Sequence, residues 1–578
     1  MRANKPEKLY TTSEIMNLYG VPHMVIKKHF PAPVRTRRNE MNRRRPVRLW
    51  SKEQIETALN DPEITEIIER KKRKIEAKEE KQAAIKALLT AFDVEKLRQE
   101  AEGKQRRFIL HVGPTNSGKT YDSVMRLQQA ENGVYLGPLR LLALEMYDKL
   151  NMAGVPCNLL TGEESVPIPC AKHTASTIEL ADYNKVYEIA VIDEAQMISD
   201  KSRGDKWARA IYALNAKEIH VCMAPEAKDI IVRIIESFGA PYSIVNHQRL
   251  APLKYAGHFG RLEDVQPGDA IIVFSRRAVL AVAAELSRKN IKASVIYGAL
   301  PPVSRREEVR KFTAGETKVV VATDAIGMGI SLPIKRIIFF ETEKFDGEDR
   351  RELRVGEIKQ IAGRAGRYGI YNEGEVLAMT GNRLVRQALE SEAAPVETLY
   401  IPFPVETLDT DYSINQLLNA WNNLPRNPHF SRADMTNALY LYKVLMGQIQ
   451  SEDKRLVYRL ITCPVDCKSE ALVSYWLNCS ISILKGEDLP EPYSGDGTLE
   501  ACENRYRELD IRHQLLRQID VEEDRMAEKT ELCRKINKYL EKNKDSYLRR
   551  CRSCGRVLPP THPFGLCDTC YYQGRNYW

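Results

Sequence analysis

The sequence predicts an α/β protein centred on two parallel-sheet lobes in tandem, with small helical modules around them. Three observations predict it. Apolar "FILHVG" runs into Gly113-Pro-Thr-Asn-Ser-Gly118-Lys119-Thr120 and then into helix-forming "TYDSVMRLQQA". Apolar "IAVI" ends in Asp193-Glu194-Ala195-Gln196, 74 residues after Lys119. A second series of strand-like runs, "AIIVFS", "ASVIYG" and "KVVVATD", precedes "EIKQIAGRAGRYG". Alternating strand and helix patterns of this kind build parallel sheets with crossover helices.

The first stretch fits G-x-x-x-x-G-K-[ST] at every fixed position. In a strand–loop–helix setting, Gly113 and Gly118 let backbone N–H groups, including those of Thr115, Asn116 and Ser117, turn toward an anion. The helix N-terminus adds its positive dipole end. Lys119 is expected on the β- and γ-phosphates of ATP, and the Thr120 hydroxyl on Mg²⁺. Asp193 is expected to be the second Mg²⁺ anchor, and Glu194 to orient or activate the attacking water. The spacing suits a multi-stranded RecA-like sheet. Gln360, Arg364 and Arg367 fall at i, i+4 and i+7, hence on one face if the helix continues through them. Arginine suits the γ-phosphate because its planar fork stays charged. A solvated basic helix has no need of the small Gly363, Ala365 and Gly366 between these side chains.

Together these motifs resemble a superfamily 2 helicase of the DExH type. "GPTNSGKT", "YGALPP" and "EIKQIAGRAGRYG" resemble more narrowly the mitochondrial degradosome RNA helicase family and its bacterial relatives, over roughly residues 108 to 400. The resemblance implies ATP-driven movement 3′ to 5′ along RNA, duplex unwinding, a role in RNA turnover and an exoribonuclease partner. One departure stands out: Cys222 to Ala227 reads "CMAPEA" where many helicases have Ser-Ala-Thr, an element that couples hydrolysis to strand movement.

In chain order, residues 1–62 read as a basic helix-turn-helix-like module, with "PHMVIKKHF" as a second helix and "WSKEQIETAL" as a third. A three-helix protein-docking module is the alternative. Twelve Lys and Arg against Glu7, Glu14 and Glu40 place the whole +9 of the chain within residues 1–50. Such a surplus suits a polyanion. Residues 63–107 lack Pro and contain one Gly, so they read as a charged connector helix. Residues 108–245 and 246–400 are the two RecA-like domains, and 401–547 a helical C-terminal domain. Its Trp421, Tyr440, Tyr442 and Trp476 are expected in the helical core.

Residues 548–578 carry Cys551-x-x-Cys554 and Cys567-x-x-Cys570, twelve residues apart. Paired C-x₂-C knuckles predict a closed, structural Zn²⁺ site on a small ribbon whose folding energy comes from the metal. His562 competes as a ligand but sits between prolines. Arg552, Arg556, Tyr571, Tyr572, Arg575 and Trp578 are candidates for nucleic-acid contact.

Composition fixes the rest of the expectation. The 578 residues are 43% hydrophobic, without an apolar run near the roughly 18 residues of a membrane span. "MRANKPEKLYTTSE" has neither the apolar core of a secretory signal nor the Ser-rich character of a presequence. The expectation is a cytoplasmic protein, monomeric or weakly dimeric, with the mitochondrial matrix as alternative. RNA is the expected substrate. The alternatives are a DNA or RNA–DNA hybrid helicase of a mobile element, and an ATP-gated clamp that remodels complexes without unwinding.

Overall fold

The computed structural model describes residues 8–37, 46–92, 94–327, 332–346, 349–367, 369–425, 427, 430–542, 547–558, 562 and 564–575, the last three by backbone alone. The basic residues Arg2, Lys5, Arg38, Arg43, Arg44 and Arg45, the side chain of Arg575, and Trp578 lie outside them. The chain divides into two compact units, 1–90 and 91–578.

The first unit opens with strand Tyr10–Thr11 and helix Thr12–Tyr19. Thr11 and Glu14 cap that helix reciprocally, and Gly20 ends it at φ +69°. Helix His23–His29 follows after Gly20-Val21-Pro22. Strands Arg35–Arg37 and Val47–Trp50 make an antiparallel hairpin, with Tyr10–Thr11 on its other edge. Ser51 and Gln54 then cap helix Lys52–Leu59. Ile15, Val21, Ile26, Trp50, Ile55 and Ile64 form the core, with Ile67 and Ile68 packed onto it.

The charged helix is shorter than predicted. It runs Pro62–Thr90, and a separate helix occupies Val94–Ala101. Beyond the break, Lys104 donates to Ala213 O at 2.6 Å and Arg106 to Tyr212 O at 2.8 Å. Both cations thereby satisfy carbonyls at the end of helix Gly204–Ala213.

In the second unit, the first lobe is an eight-stranded sheet. Its order is Tyr242–Asn246, Arg107–Val112, Ala216–Met223, Tyr187–Ile192, Gly133–Gly137, His173–Thr177, Cys157–Leu160 and Ser165–Val166. All neighbours are parallel except the last pair. The central strands Gly133–Gly137 and Tyr187–Ile192 read as near-continuous apolar runs because helices cover both faces of such a sheet. The second lobe has six parallel strands, ordered Leu253–His258, Gly374–Ala378, Arg336–Phe339, Asp269–Ile272, Val319–Ala322 and Ala293–Ile296.

Beyond residue 401 the chain is mostly helical. Trp421 and Trp476 are fully buried, each donating its indole N–H to a carbonyl, whereas Tyr440 is 45% exposed. Helices Leu499–Arg517 and Met526–Lys542 contribute Tyr506, Leu509, Leu532 and Ile536 to the core of the second lobe. The first of them also meets the first lobe, where Asp510 pairs with Arg140 at 3.3 Å and Arg517 donates to Thr161 O at 2.9 Å. Among the described residues, no helix is long and apolar enough to cross a membrane.

Candidate nucleotide site and metal cluster

Sheet topology gathers the first-lobe candidates. Strands Arg107–Val112, Ala216–Met223 and Tyr187–Ile192 are neighbours, so the phosphate loop, the "CMAPEA" segment and Asp193 emerge side by side at their carboxyl ends. Ligands of parallel sheets bind there. The loop needs its glycines. Gly118 caps helix Lys119–Gln128 at φ +85°, and a Cβ on Gly113 would stand 2.5 Å from His247 O. Asn116 also takes a left-handed conformation, φ +60°. The Ser117 hydroxyl is buried without a partner.

Lys119 Nζ donates to Gly113 O at 2.7 Å and Pro114 O at 2.8 Å, so its ammonium lies over its own loop. Thr120 Oγ1 is 3.2 Å from Asp193 Oδ1. Two oxygens in adjacent octahedral positions around Mg²⁺ stand about 3 Å apart, so this pair fits a magnesium edge. Tyr135 OH donates to Asp193 at 2.7 Å, and Trp207 Nε1 to its carbonyl at 3.0 Å.

Asp193 is buried, and burial, reinforced by the charge of Glu194, raises its pKa to about 6. A carboxyl whose pKa is higher folded than unfolded destabilises the fold above the folded pKa. That penalty fades as pH falls through about 6 and is gone below the unfolded value near 4. Metal-free Asp193→Asn protein is therefore expected to melt above the parent at pH 8, with the gap closing between pH 6 and 4. Thermal melts across pH check this, and a variant melting below the parent at pH 8 contradicts it.

Glu194 sits at φ +51°, ψ +46°, a left-handed conformation costing about 1–3 kcal/mol in a residue with a Cβ. Its carboxylate accepts from Gln196 Nε2, while Gln196 Oε1 accepts from Ala224 N at 3.1 Å. Gln196 thus joins the acidic motif to the "CMAPEA" segment. Within that segment Cys222 is buried beside Ser123 Oγ at 3.0 Å, and burial pushes its thiol pKa up.

The second lobe completes the site. Arg364 lies 3.8 Å from Glu194 and donates to Gly327 O at 2.6 Å. Burial lowers its pKa, with Glu194 and Asp193 opposing. The single-face expectation for Gln360, Arg364 and Arg367 is corrected here. Helix Val355–Ala362 stops before the arginines, so only Gln360 is helical. The small residues explain the stop. A Cβ on Gly363 would lie 2.7 Å from Thr115 Cβ, and Gly366, at φ +70°, would clash with the Gly374 backbone. Arg364 keeps 13% of its side chain exposed at the boundary with the first lobe, and Arg367 is half-buried in the turn beyond.

Motif reading missed Arg249. It follows the edge strand beside the phosphate loop and donates to Thr115 O at 3.0 Å, Gly363 O at 2.7 Å and Ala365 O. Asn116 Nδ2 adds a bond to Gly363 O at 2.9 Å. The phosphate loop and the arginine turn are therefore in direct contact. No local pattern marks Arg249, because besides Ala251 O its partners are carbonyls more than 100 residues away in either direction.

In the tail, the sulfurs of Cys551, Cys554, Cys567 and Cys570 lie within 4.8 Å of one another, and Cys554 Sγ is 3.7 Å from Cys567 Sγ. Four thiolates about 2.3 Å from one tetrahedral ion stand about 3.8 Å apart, so the cluster fits zinc. Backbone N–H groups of Cys554 and then Cys567 lower the Cys551 thiol to about 6, toward the ligand form. His562 faces the Phe564 backbone and Asp568, outside the cluster.

Residues 95–247 match the DEXQ-box helicase domain of Suv3, and residues 256–369 the helicase conserved C-terminal domain. Each lobe thus matches a helicase domain, the first of them a Suv3-type one. Relatives include the mitochondrial ATP-dependent RNA helicase SUV3 of Oryza sativa subsp. japonica, 45% identical over 305 residues, which are 51% of this chain and 52% of that protein. SUV3 of Candida albicans is 40% identical over 360 residues, 60% of this chain and 48% of that protein. Human SUPV3L1 is 40% identical over 312 residues, 51% and 40% respectively. The chain thus spans about half the length, or less, of these relatives.

Proposed function

We propose that the protein is an ATP-hydrolysing RNA helicase that moves 3′ to 5′ along single strands and separates duplexes. The observation that carries this reading is the shared phosphate site, in which Lys119, Thr120, Asp193 and Glu194 of one lobe meet Arg364 of the other. Loop N–H groups from Thr115 to Gly118 cradle the phosphates, and Lys119 leaves its two carbonyls to meet them. Thr120 and Asp193 would hold Mg²⁺, which when bound neutralises charge on the β- and γ-oxygens. Glu194 takes the proton of the attacking water. Arg364, Arg367 and Gln360 face the γ-phosphate, where charge develops. Gln196 passes the state of Glu194 to Ala224, the role expected of "CMAPEA".

The strand has a fitting berth. A cavity of about 410 Å³ is lined by Leu139 of the first lobe and by Ser275, Arg276, Tyr297, Arg305 and Thr323 of the second. Arg276, which pairs with Glu503 at 2.9 Å, and Arg305, which donates to Tyr297 O at 3.1 Å, bring cationic guanidinium groups to that wall, suited to phosphate oxygens. A contact of this kind reads backbone, not base sequence.

RNA as substrate is supported by the names of the relatives, and their mitochondrial labels favour the matrix over the cytoplasm. A 3′ exoribonuclease is the proposed partner. Strand displacement on 3′- and 5′-tailed duplexes of RNA, DNA and hybrid tests the reading. Displacement of 3′-tailed RNA is expected. A preference for DNA favours the mobile-element alternative, and ATP-dependent retention without displacement favours the clamp.

The cysteine cluster is proposed to hold one structural Zn²⁺ per chain. Metal analysis after chelator-free preparation is expected to give about one equivalent. Less than about half an equivalent, or retention of metal by Cys554→Ser, contradicts the ligand set.

A further inference from the structure

The nucleotide site is built from residues of the second unit, and the described portion of the basic residues 1–50 has a definite shape. Helices Thr12–Tyr19 and His23–His29 are joined by Gly20-Val21-Pro22, with Gly20 left-handed and Val21 fully buried. A three-residue turn containing Gly is the joint of a helix-turn-helix, whose second helix reads nucleic acid. That second helix is strictly two-sided. Val25 and Ile26 enter the core, while His23, Met24, Lys27 and Lys28 are exposed. Met24 is 69% exposed. Trp50 Nε1 donates to Pro31 O at 2.9 Å and Gln54 Nε2 to Ala32 O at 2.9 Å, which fixes the exit of the helix against the hairpin and third helix.

The hairpin is equally one-signed. Arg35, Thr36 and Arg37 are all exposed. Arg48 is exposed too, although it shares a strand face with the buried Trp50. Neither His23–His29 nor the hairpin strands contain an acidic residue. The described acids up to Leu59 lie elsewhere: Glu14 is taken up in the Thr11 cap, and Glu53 and Glu56 are on the third helix. Helix Pro62–Thr90 by contrast mixes both signs, with ion pairs such as Arg73–Glu69 at 2.9 Å.

We propose that residues 10–37 and 46–59 belong to a winged helix-turn-helix that docks double-stranded DNA. His23 and Met24 enter the major groove, and Lys27, Lys28, Arg35, Arg37 and Arg48 contact phosphates along it. A seven-residue helix is about 10 Å long and 10–12 Å wide, which a B-form major groove about 12 Å wide admits. The deep, narrow major groove of A-form RNA does not admit it. Lys27 and Lys28 supply the phosphate attraction and Met24 an apolar surface for base edges and thymine methyl groups. The unit therefore gives the enzyme a duplex-DNA anchor separate from the strand its motor works on, and this holds whichever strand the motor prefers.

The test is binding of the full-length protein to a blunt DNA duplex, without nucleotide, by fluorescence anisotropy over a range of salt. The RNA duplex of the same sequence runs in parallel. Lys27→Ala/Lys28→Ala is expected to weaken DNA-duplex binding and reduce the slope of log affinity against log salt by about 2, since each phosphate contact contributes about 0.9. Arg35→Ala/Arg37→Ala is expected to do the same. Lys74→Ala/Lys78→Ala removes equal charge from the exposed face of the long helix and is expected to leave slope and affinity as in the parent. Equal losses from all three pairs would mean undirected charge and overturn the proposal. So would equal or tighter binding of the RNA duplex, or parent-like binding by Lys27→Ala/Lys28→Ala. Because ATP is absent, none of these outcomes depends on the helicase reading.

Discussion

Glu194→Gln protein is expected to bind ATP as the parent does and to hydrolyse it about 10²–10⁴-fold more slowly. General acid–base assistance by a positioned side chain is worth that much. The amide is nearly isosteric with the carboxylate, so the left-handed backbone and the neighbouring Gln196 have little reason to move. What disappears is the proton acceptor and the anion 3.8 Å from Arg364. Lys119→Ala fails at an earlier step. It removes the ammonium that the loop carbonyls hold in reserve for phosphate, so binding itself is lost. Equilibrium binding of a fluorescent ATP analogue beside steady-state hydrolysis separates the two. Parent-like turnover in Glu194→Gln would remove Glu194 from the chemistry.

Arg364→Ala is expected to lower kcat on the order of 10³-fold, with KM for ATP changed far less, as for arginines that act on the transition state of phosphoryl transfer. Arg364 is placed for this. It is mostly buried, faces Glu194 across the lobe boundary and is held by the Gly327 carbonyl, so its charge has nowhere to relax. Arg367→Ala is expected to behave alike, from the turn just beyond. Arg364→Lys is not expected to restore the rate, because a point ammonium cannot engage two phosphate oxygens in one plane. A matched loss of kcat and melting temperature would assign Arg364 to holding the lobes together. A loss of kcat in a protein that melts as the parent does assigns it to the reaction.

Legibility in the sequence followed contact range. The phosphate loop, Asp193–Glu194 and the paired cysteines are compact motifs whose residues meet through local chain geometry, and the two parallel sheets follow from their apolar runs. Gln360, Arg364 and Arg367 were legible as residue types but not as geometry. Helical spacing was the natural reading, and the helix stops at Ala362 because Gly363 meets Thr115 from the other lobe. Periodicity cannot register a contact made across 248 residues. Arg249 and Tyr135 were missed for a related reason, since each acts on a backbone or carboxylate that only the folded sheets bring near. The break between Thr90 and Val94 was invisible because Lys, Glu and Ala favour helix on both sides of it.

The central claim is that strand and nucleotide are held by the same two lobes, so each favours the closed arrangement that the other needs. ATP hydrolysis by the full-length protein at saturating Mg²⁺ and ATP, with and without single-stranded RNA, tests it most directly. A strand seated between Leu139 and the Arg276–Arg305 wall draws the lobes together and brings Arg364 and Arg367 onto the γ-phosphate. The account predicts a several-fold or greater rise in kcat with RNA, abolished by Arg364→Ala. Hydrolysis at the same rate with and without RNA, in protein that demonstrably binds the strand, would contradict it.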